Sequence, residues 1–145
     1  MWAAVRVLVP IAALAGGVGL MIVHLGCTAT VPPGPSTVRG RVTFQALPLA
    51  GALVVFTPDR DRGTSGKPIR AETGPDGSFQ LQLDGNPTIP AGWYRVAIAP
   101  PPGAAASGRP AFPQQLRRPD ASSIVREVAN GQEHFFEFAV EVPNG

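Results

Sequence analysis

A tight turn between alternating segments constrains this chain more than any other feature of its 145 residues. The turn is Pro75-Asp76-Gly77, in which proline fixes one backbone angle, aspartate bonds its own backbone, and glycine accepts a positive φ. Residues 78–83 then alternate apolar side chains with serine and glutamine, and residues 93–98 show the same period of two. Since this period is typical of half-buried strands, the chain is predicted to fold as a small all-β sandwich.

The same reasoning predicts seven strands, packed as two antiparallel sheets, and no convincing helix. The predicted strands are 38–44, 52–57, 69–73, 79–83, 93–99, 123–128 and 134–142. Asn130-Gly131 is a strong hairpin signal between the last two strands. The apolar positions of these strands are the predicted core, which consists of Val38, Val42, Phe44, Val54, Phe56, Phe79, Leu81, Tyr94, Val96, Ile98, Phe136, Phe138 and Val140.

Four of these segments together resemble a known family. They are Val38-Arg39-Gly40-Arg41-Val42-Thr43-Phe44, the stretch 47–56 that begins Leu-Pro-Leu-Ala-Gly-Ala, the turn segment 73–83, and Pro90-Ala91-Gly92-Trp93-Tyr94-Arg95-Val96. In these residues the chain resembles the carboxypeptidase regulatory-like domain, a transthyretin-like (prealbumin-type) β-sandwich. The part 113–131 is similar to the ending of small secreted proteins from planctomycete-type bacteria. The resemblance implies a transthyretin-like fold and leaves the function open, because one fold serves many functions.

The first 26 residues are predicted to precede this domain as a signal peptide. A short segment with one positive charge, an apolar stretch over 7–23, and a small residue before Cys27 describe a secretory signal. A cysteine at that place resembles a bacterial lipobox, which implies that Cys27 is lipidated after cleavage. An uncleaved membrane anchor and a plain cleaved signal are the alternatives. All three export the rest of the chain, so the protein is expected in the cell envelope, on its periplasmic or cell-surface face.

Three segments follow from this interpretation: the signal 1–26, a Pro-rich tether over 27–36, and the β-sandwich domain 37–145. Prolines favour an extended tether. The predicted partner is the membrane, through the lipid or anchor, with an envelope polymer or protein as a further candidate. Nucleic acid is not an expected partner, since the net charge is only +2.

Residue types for catalysis or metal binding are scarce in the exported part. His134 is its one histidine, and zinc needs three or four histidine or cysteine ligands. The oxygen-rich loops Asp59-Arg60-Asp61 and Asp84-Gly85-Asn86 lack the spacing of a twelve-residue calcium loop. No base accompanies a serine in a recognisable motif. We therefore expect no metal, no cofactor and no catalytic residue.

The predicted function is a structural or binding role without catalysis. Trp93 and Phe135 fall on outward faces, where an aromatic pair on one sheet can stack a sugar ring. A carbohydrate-recognition module is therefore the alternative, unless Trp93 lies under the loop 100–108 and Phe135 under a sheet edge. A small hydrolase that uses Glu137 and Glu141 is a third hypothesis, although both carboxylates lie on one solvent-side strand face.

Overall fold

The computed structural model describes residues 35–104 and 110–143. Over these ranges the protein is all-β, with two four-stranded sheets packed as a sandwich and no α-helix. The predicted signal peptide, the lipidation residue Cys27 and the tether up to residue 34 lie outside the described residues. Within the described ranges, no helix has the length and apolar character that a membrane crossing needs.

The described residues form eight strands and two short 3-10 turns. The strands are β1 (Thr37–Phe44), β2 (Leu47–Pro48), β3 (Leu53–Pro58), β4 (Ile69–Glu72), β5 (Ser78–Gln80), β6 (Gly92–Ala99), β7 (Val125–Val128) and β8 (Glu133–Val140). The 3-10 turns are η1 (Arg60–Arg62) and η2 (Gln114–Arg117).

The first sheet is organised around β1. On one side β1 pairs in parallel with all of β8, from Thr37 opposite Glu133 to Phe44 opposite Val140. On its other side β1 pairs antiparallel with two strands, through residues 43–44 with β2 and through residues 39–41 with β5. The second sheet has the order β4-β3-β6-β7 and is antiparallel throughout.

The expectation of seven antiparallel strands needs two corrections. First, the segment Leu47–Pro48, which lies outside the predicted strands, pairs with the end of β1 and adds an eighth strand. Second, Asn130-Gly131 does not close a hairpin. The chain crosses there from one sheet to the other, since β7 pairs with β6 whereas β8 pairs with β1. The crossing brings β8 alongside β1 in the same direction, so this one strand pair is parallel.

The core lies between the two sheets and has Phe56 of β3 at its centre. The Phe56 ring lies 6.0 to 6.4 Å, between centroids, from those of Phe79, Tyr94, Phe136 and Phe138. Burial of one such side chain stabilises the fold by roughly 1.5–3 kcal/mol. Burial also raises the pKa of the Tyr94 phenol, whose hydroxyl donates to the Pro90 carbonyl over 2.7 Å.

The predicted core is confirmed, except that Phe136 is only partly buried. The alternation expected in β1 is also present, with every second residue from Val38 to Phe44 buried. Further buried residues, which the sequence analysis did not include, come mainly from loops and short strands; they are Leu49, Ala52, Ile69, Ile89, Ala97, Phe112 and Val128.

At Gly40 of β1, the surrounding atoms leave no room for a side chain. A Cβ at this position would collide with the Phe136 carbonyl oxygen and lie 2.7 Å from the Phe79 ring. Because glycine leaves that space free, the Phe79 ring lies directly over β1.

The Pro75-Asp76-Gly77 turn is confirmed. Gly77 has a φ of 77°, and its carbonyl accepts from Val42 N over 2.8 Å, which holds the turn against β1. The Asp76 carboxylate accepts from Ser78 Oγ over 2.6 Å and from Ser78 N over 3.1 Å. These hydrogen bonds, the side-chain one first, lower the pKa of Asp76.

The folded domain begins before Thr37. Ser36, which the sequence analysis placed at the end of the tether, is 3% exposed. Its Oγ accepts from Gly131 N over 2.9 Å and its carbonyl accepts from Ile89 N over 2.8 Å. The compact unit Val31–Gly145 contains the whole of this core, so we expect it to fold on its own.

We expect Gly77→Ala to destabilise this unit more than the control Gly85→Ala. Both glycines have a positive φ, 77° and 81°, so alanine is strained by about 1 kcal/mol at either position. A Cβ at Gly77 would also collide with the Val42 carbonyl oxygen, whereas nothing lies within 4 Å at Gly85. The free energy of unfolding, measured by urea denaturation, should fall by about 2–3 kcal/mol at Gly77 and by about 1 kcal/mol at Gly85. Equal losses would contradict the close contact between this turn and β1.

Candidate functional site

The two ends of β1 lie beside different features of the molecule. The strand runs from Thr37 to Phe44, about 23 Å at roughly 3.3 Å per residue. Ser36, directly before β1, accepts from Gly131 N in the turn after β7. The last residue of β7, Val128, pairs with Gly92 at the start of β6, so the start of β6 lies near the amino end of β1. A polar cluster lies at this amino end, and an apolar cleft lies at the carboxyl end.

Trp93 belongs to the polar cluster and is half-buried. The Arg62 guanidinium lies 4.9 Å from the centroid of the indole ring. The Trp93 backbone N donates to Thr64 Oγ1 over 2.7 Å, and its carbonyl accepts from Asp59 N over 2.8 Å. The ring is therefore covered by an arginine of η1, and the described part of the loop 100–108 lies at the other end of β6.

A buried carboxylate holds this cluster together. Asp59 is 3% exposed, accepts from Asp61 N over 3.1 Å, and lies 3.4 Å from the Nε atoms of both Arg62 and Arg95. Arg95 also pairs with Asp61 over 2.8 Å. Since arginines neutralise both carboxylates, this loop stabilises η1 and offers a cation little free charge.

The other oxygen-rich loop is also paired with a cation. Asp84 lies 3.5 Å from Lys67 Nζ, and Asn86 Oδ1 accepts from Thr88 N over 2.9 Å. Among the residues that the structure describes, no three metal-ligating side chains gather in one place.

Phe135 is on the opposite face of the molecule from Trp93. It is 63% exposed on the outward face of β8, which belongs to the first sheet, whereas Trp93 is on β6 in the second sheet. The expectation of an aromatic pair on one sheet is therefore wrong, because β8 pairs with β1. The exposure also excludes the interpretation that Phe135 lies under an edge.

His134, at the second position of β8, is half-buried. Its Nε2 accepts from Ala129 N over 2.9 Å, and its ring stacks on Phe136 with 5.6 Å between centroids. The histidine thus fixes the connection between β7 and β8.

Glu137 and Glu141 line one shallow groove of about 330 Å³ along the free edge of β8. Glu137 belongs to β8, whereas Glu141 directly follows the end of this strand. The Arg126 guanidinium lies 5.4 Å from the Phe138 ring centroid at the side of this groove.

The larger cavity, a cleft of about 540 Å³, lies at the carboxyl end of β1. Its floor is formed by Phe44, Leu49 and Phe112, and the rings of Phe44 and Phe112 are 5.3 Å apart between centroids. We call it the proline cleft; its described lining is Phe44, Leu49, Pro100, Pro101, Pro102, Gly103, Ala104, Pro110, Ala111, Phe112, Gln114 and Arg117.

Local sequence explains how the cleft forms. Prolines 100–102 have no N–H to donate to a neighbouring strand, so β6 ends at Ala99 and the chain leaves the sheet. Phe112 returns to the core beside Phe44 and is 8% exposed. Leu116 of η2 packs against the core and holds the rim in place. The volume falls in the range of about 300–1,000 Å³ that small-molecule sites occupy.

This cleft was not predicted from the sequence. Residues 100–108 were expected to form a loop, and neither Leu49 nor Phe112 was among the predicted core residues. The one signal in the sequence was Phe112 itself, an isolated aromatic residue directly after the proline- and alanine-rich stretch.

No family model and no curated protein matches the chain. A solved structure described as the dioxygenase domain of a novel dioxygenase carbohydrate-binding protein fusion, from the cellulolytic bacterium Streptomyces sp. SirexAA-E, is similar to it. The two are 27% identical over 80% of this chain and 85% of that one, with a TM-score of 0.42. A TM-score of this size supports no conclusion about activity.

We expect Arg62→Ala to expose the Trp93 ring, because it removes the guanidinium over the indole. Trp93 is the only tryptophan of the unit Val31–Gly145, so its fluorescence reports this ring alone. Quenching by acrylamide should increase for Arg62→Ala and stay unchanged for the control Arg60→Ala on the same turn. Unchanged quenching in Arg62→Ala would contradict the observed stacking.

Proposed function

We propose that this protein is a non-catalytic binding protein, tethered in the cell envelope, whose β-sandwich takes a small apolar molecule into the proline cleft. The observation that carries the proposal is the cleft itself, which has a buried aromatic floor and a size typical of ligand sites. Apolar walls with a few polar groups are the usual composition of such sites.

The chemistry of the lining favours binding over reaction. None of the described lining residues is a histidine, cysteine, serine, aspartate or glutamate. A general acid or base and a nucleophile are drawn mainly from these residue types. The carboxylate-dependent hydrolase is less well supported, because Glu137 and Glu141 line a shallow groove at the surface and not the proline cleft.

The position of the cleft suits a tethered domain. The chain reaches the sandwich at the amino end of β1, and the cleft lies at the carboxyl end, about 23 Å away. A lipid on Cys27 or an uncleaved anchor would therefore be connected to the domain at the end of β1 that is away from the cleft. No cofactor is part of this proposal.

We also propose that the domain is a transthyretin-like, carboxypeptidase regulatory-like sandwich. In support, the family-like segments coincide with β1, with β2 and β3, with the Pro75-Asp76-Gly77 turn and β5, and with β6. Carbohydrate recognition through a pair of aromatic rings is less well supported, because Arg62 covers Trp93 and Phe135 is on the other face.

Filling the cleft should abolish binding of an uncharged apolar probe. Ala111 lines the cleft and is exposed, so Ala111→Trp places a large ring in the cavity without disturbing the floor. Phenylnaphthylamine fluorescence should show saturable binding to the unit Val31–Gly145 and at least about tenfold weaker binding to Ala111→Trp, a loss of ~1.4 kcal/mol.

The control is Ala121→Trp, an exposed alanine outside the lining, which should bind the probe as the wild type does. Circular dichroism and the melting temperature establish that both variants are folded. Equal binding by the wild type and Ala111→Trp, or no binding by the wild type, would overturn the proposal.

The tether is tested separately by metabolic labelling with an alkyne fatty acid. We expect the full-length wild type to be labelled and Cys27→Ser to carry no label while still being exported. Equal labelling of the two proteins would contradict lipidation at Cys27, and the uncleaved anchor would then be the better account.

A further inference from the structure

The charge at the rim of the proline cleft indicates which molecules it takes. Arg117, on η2, is the one charged side chain among the described lining residues. Its Nη1 donates to Gln114 Oε1 over 3.3 Å, and no ion pair within the described ranges includes it. A carboxylate of the described chain therefore does not neutralise this guanidinium.

The proline-rich wall of the cleft has few hydrogen-bond donors for an anionic group, which favours contact with Arg117. Pro100, Pro101 and Pro102 have no N–H, and the Ala104 N–H already donates to the Pro101 carbonyl over 3.2 Å. These four residues therefore offer a ligand no backbone donor, whereas the side chains of Gln114 and Arg117 on η2 do carry donors. Arginine also presents several N–H groups in a geometry that matches carboxylate, sulfonate and phosphate oxygens.

We propose that the cleft binds a small amphiphilic anion. Its apolar body lies on the aromatic floor of Phe44 and Phe112, and its acidic group contacts Arg117 at the rim. A cationic ligand would be repelled by this positive charge, and a neutral ligand would form no ion pair with it. The inference rests on the proposed function, since it names the class of ligand for the same cleft.

Two fluorescent probes with one ring framework test the inference on the unit Val31–Gly145. Anilinonaphthalene sulfonate carries the acidic group, and phenylnaphthylamine is its uncharged parent. We expect Arg117→Gln to weaken binding of the sulfonate by about fivefold, a moderate effect because the guanidinium is exposed and screened by solvent, and to leave the parent unchanged. Arg117→Lys, which keeps the charge, should retain most of the sulfonate affinity.

The matched control is Arg60→Gln, which removes the same charge from η1 at the opposite end of the sandwich. It should bind both probes as the wild type does. If Arg117→Gln leaves the sulfonate affinity unchanged, or if Arg60→Gln lowers it equally, the anion inference is wrong while the cleft remains the binding site. If the parent probe does not bind the wild type, the proposed function and the anion inference fail together.

Discussion

The packing of Phe56 against rings of the opposite sheet is the interaction on which the rest of the molecule depends. Phe56 comes from the middle of the second sheet and contacts Phe79, Phe136 and Phe138 of the first. These contacts fix the distance between the sheets, and Gly40 lets the Phe79 ring lie directly on β1. Every other part of the core is arranged around this cluster.

The composition of the core changes along β1, and the cleft follows from that change. In the middle of the sandwich, strand residues from both sheets face each other. At the carboxyl end, Phe44 has as its partner a ring from a loop, Phe112. The three prolines that end β6 lead the chain away from the sheet at this point. The cavity lies beyond the end of the second sheet, between Phe44, Phe112 and the prolines that follow β6.

Local patterns in the sequence predicted most of the strands and most of the core, because alternation and turn chemistry depend on neighbouring residues. Strand pairing depends on distant residues, which explains the errors. Asn130-Gly131 indicates a reversal of the chain but not which sheet the next strand joins, so the parallel pairing of β8 with β1 was missed. For the same reason, alternation placed Trp93 and Phe135 on outward faces but could not show that these faces are opposite.

The candidate site was not predictable in the same way, because it is built from segments without periodicity. Leu49 follows a two-residue strand and Phe112 follows a proline-rich loop, so neither carries the alternation that marks a core residue. The polar loops that drew attention in the sequence have a structural role instead, as Asp59 shows by pairing with Arg62 and Arg95. The anion preference that we propose for the cleft depends on Arg117, which no sequence motif marked as a binding residue.

Mapping backbone amide chemical shifts of the isotope-labelled unit Val31–Gly145, during titration with phenylnaphthylamine, tests most directly whether the proline cleft is the binding site. The account predicts saturable shifts that cluster at the carboxyl end of β1, around Phe44, Leu49 and Phe112, with Trp93 and Asp61 unaffected. Shifts centred on the Trp93 cluster or on the free edge of β8, or no saturable shift at all, would contradict it.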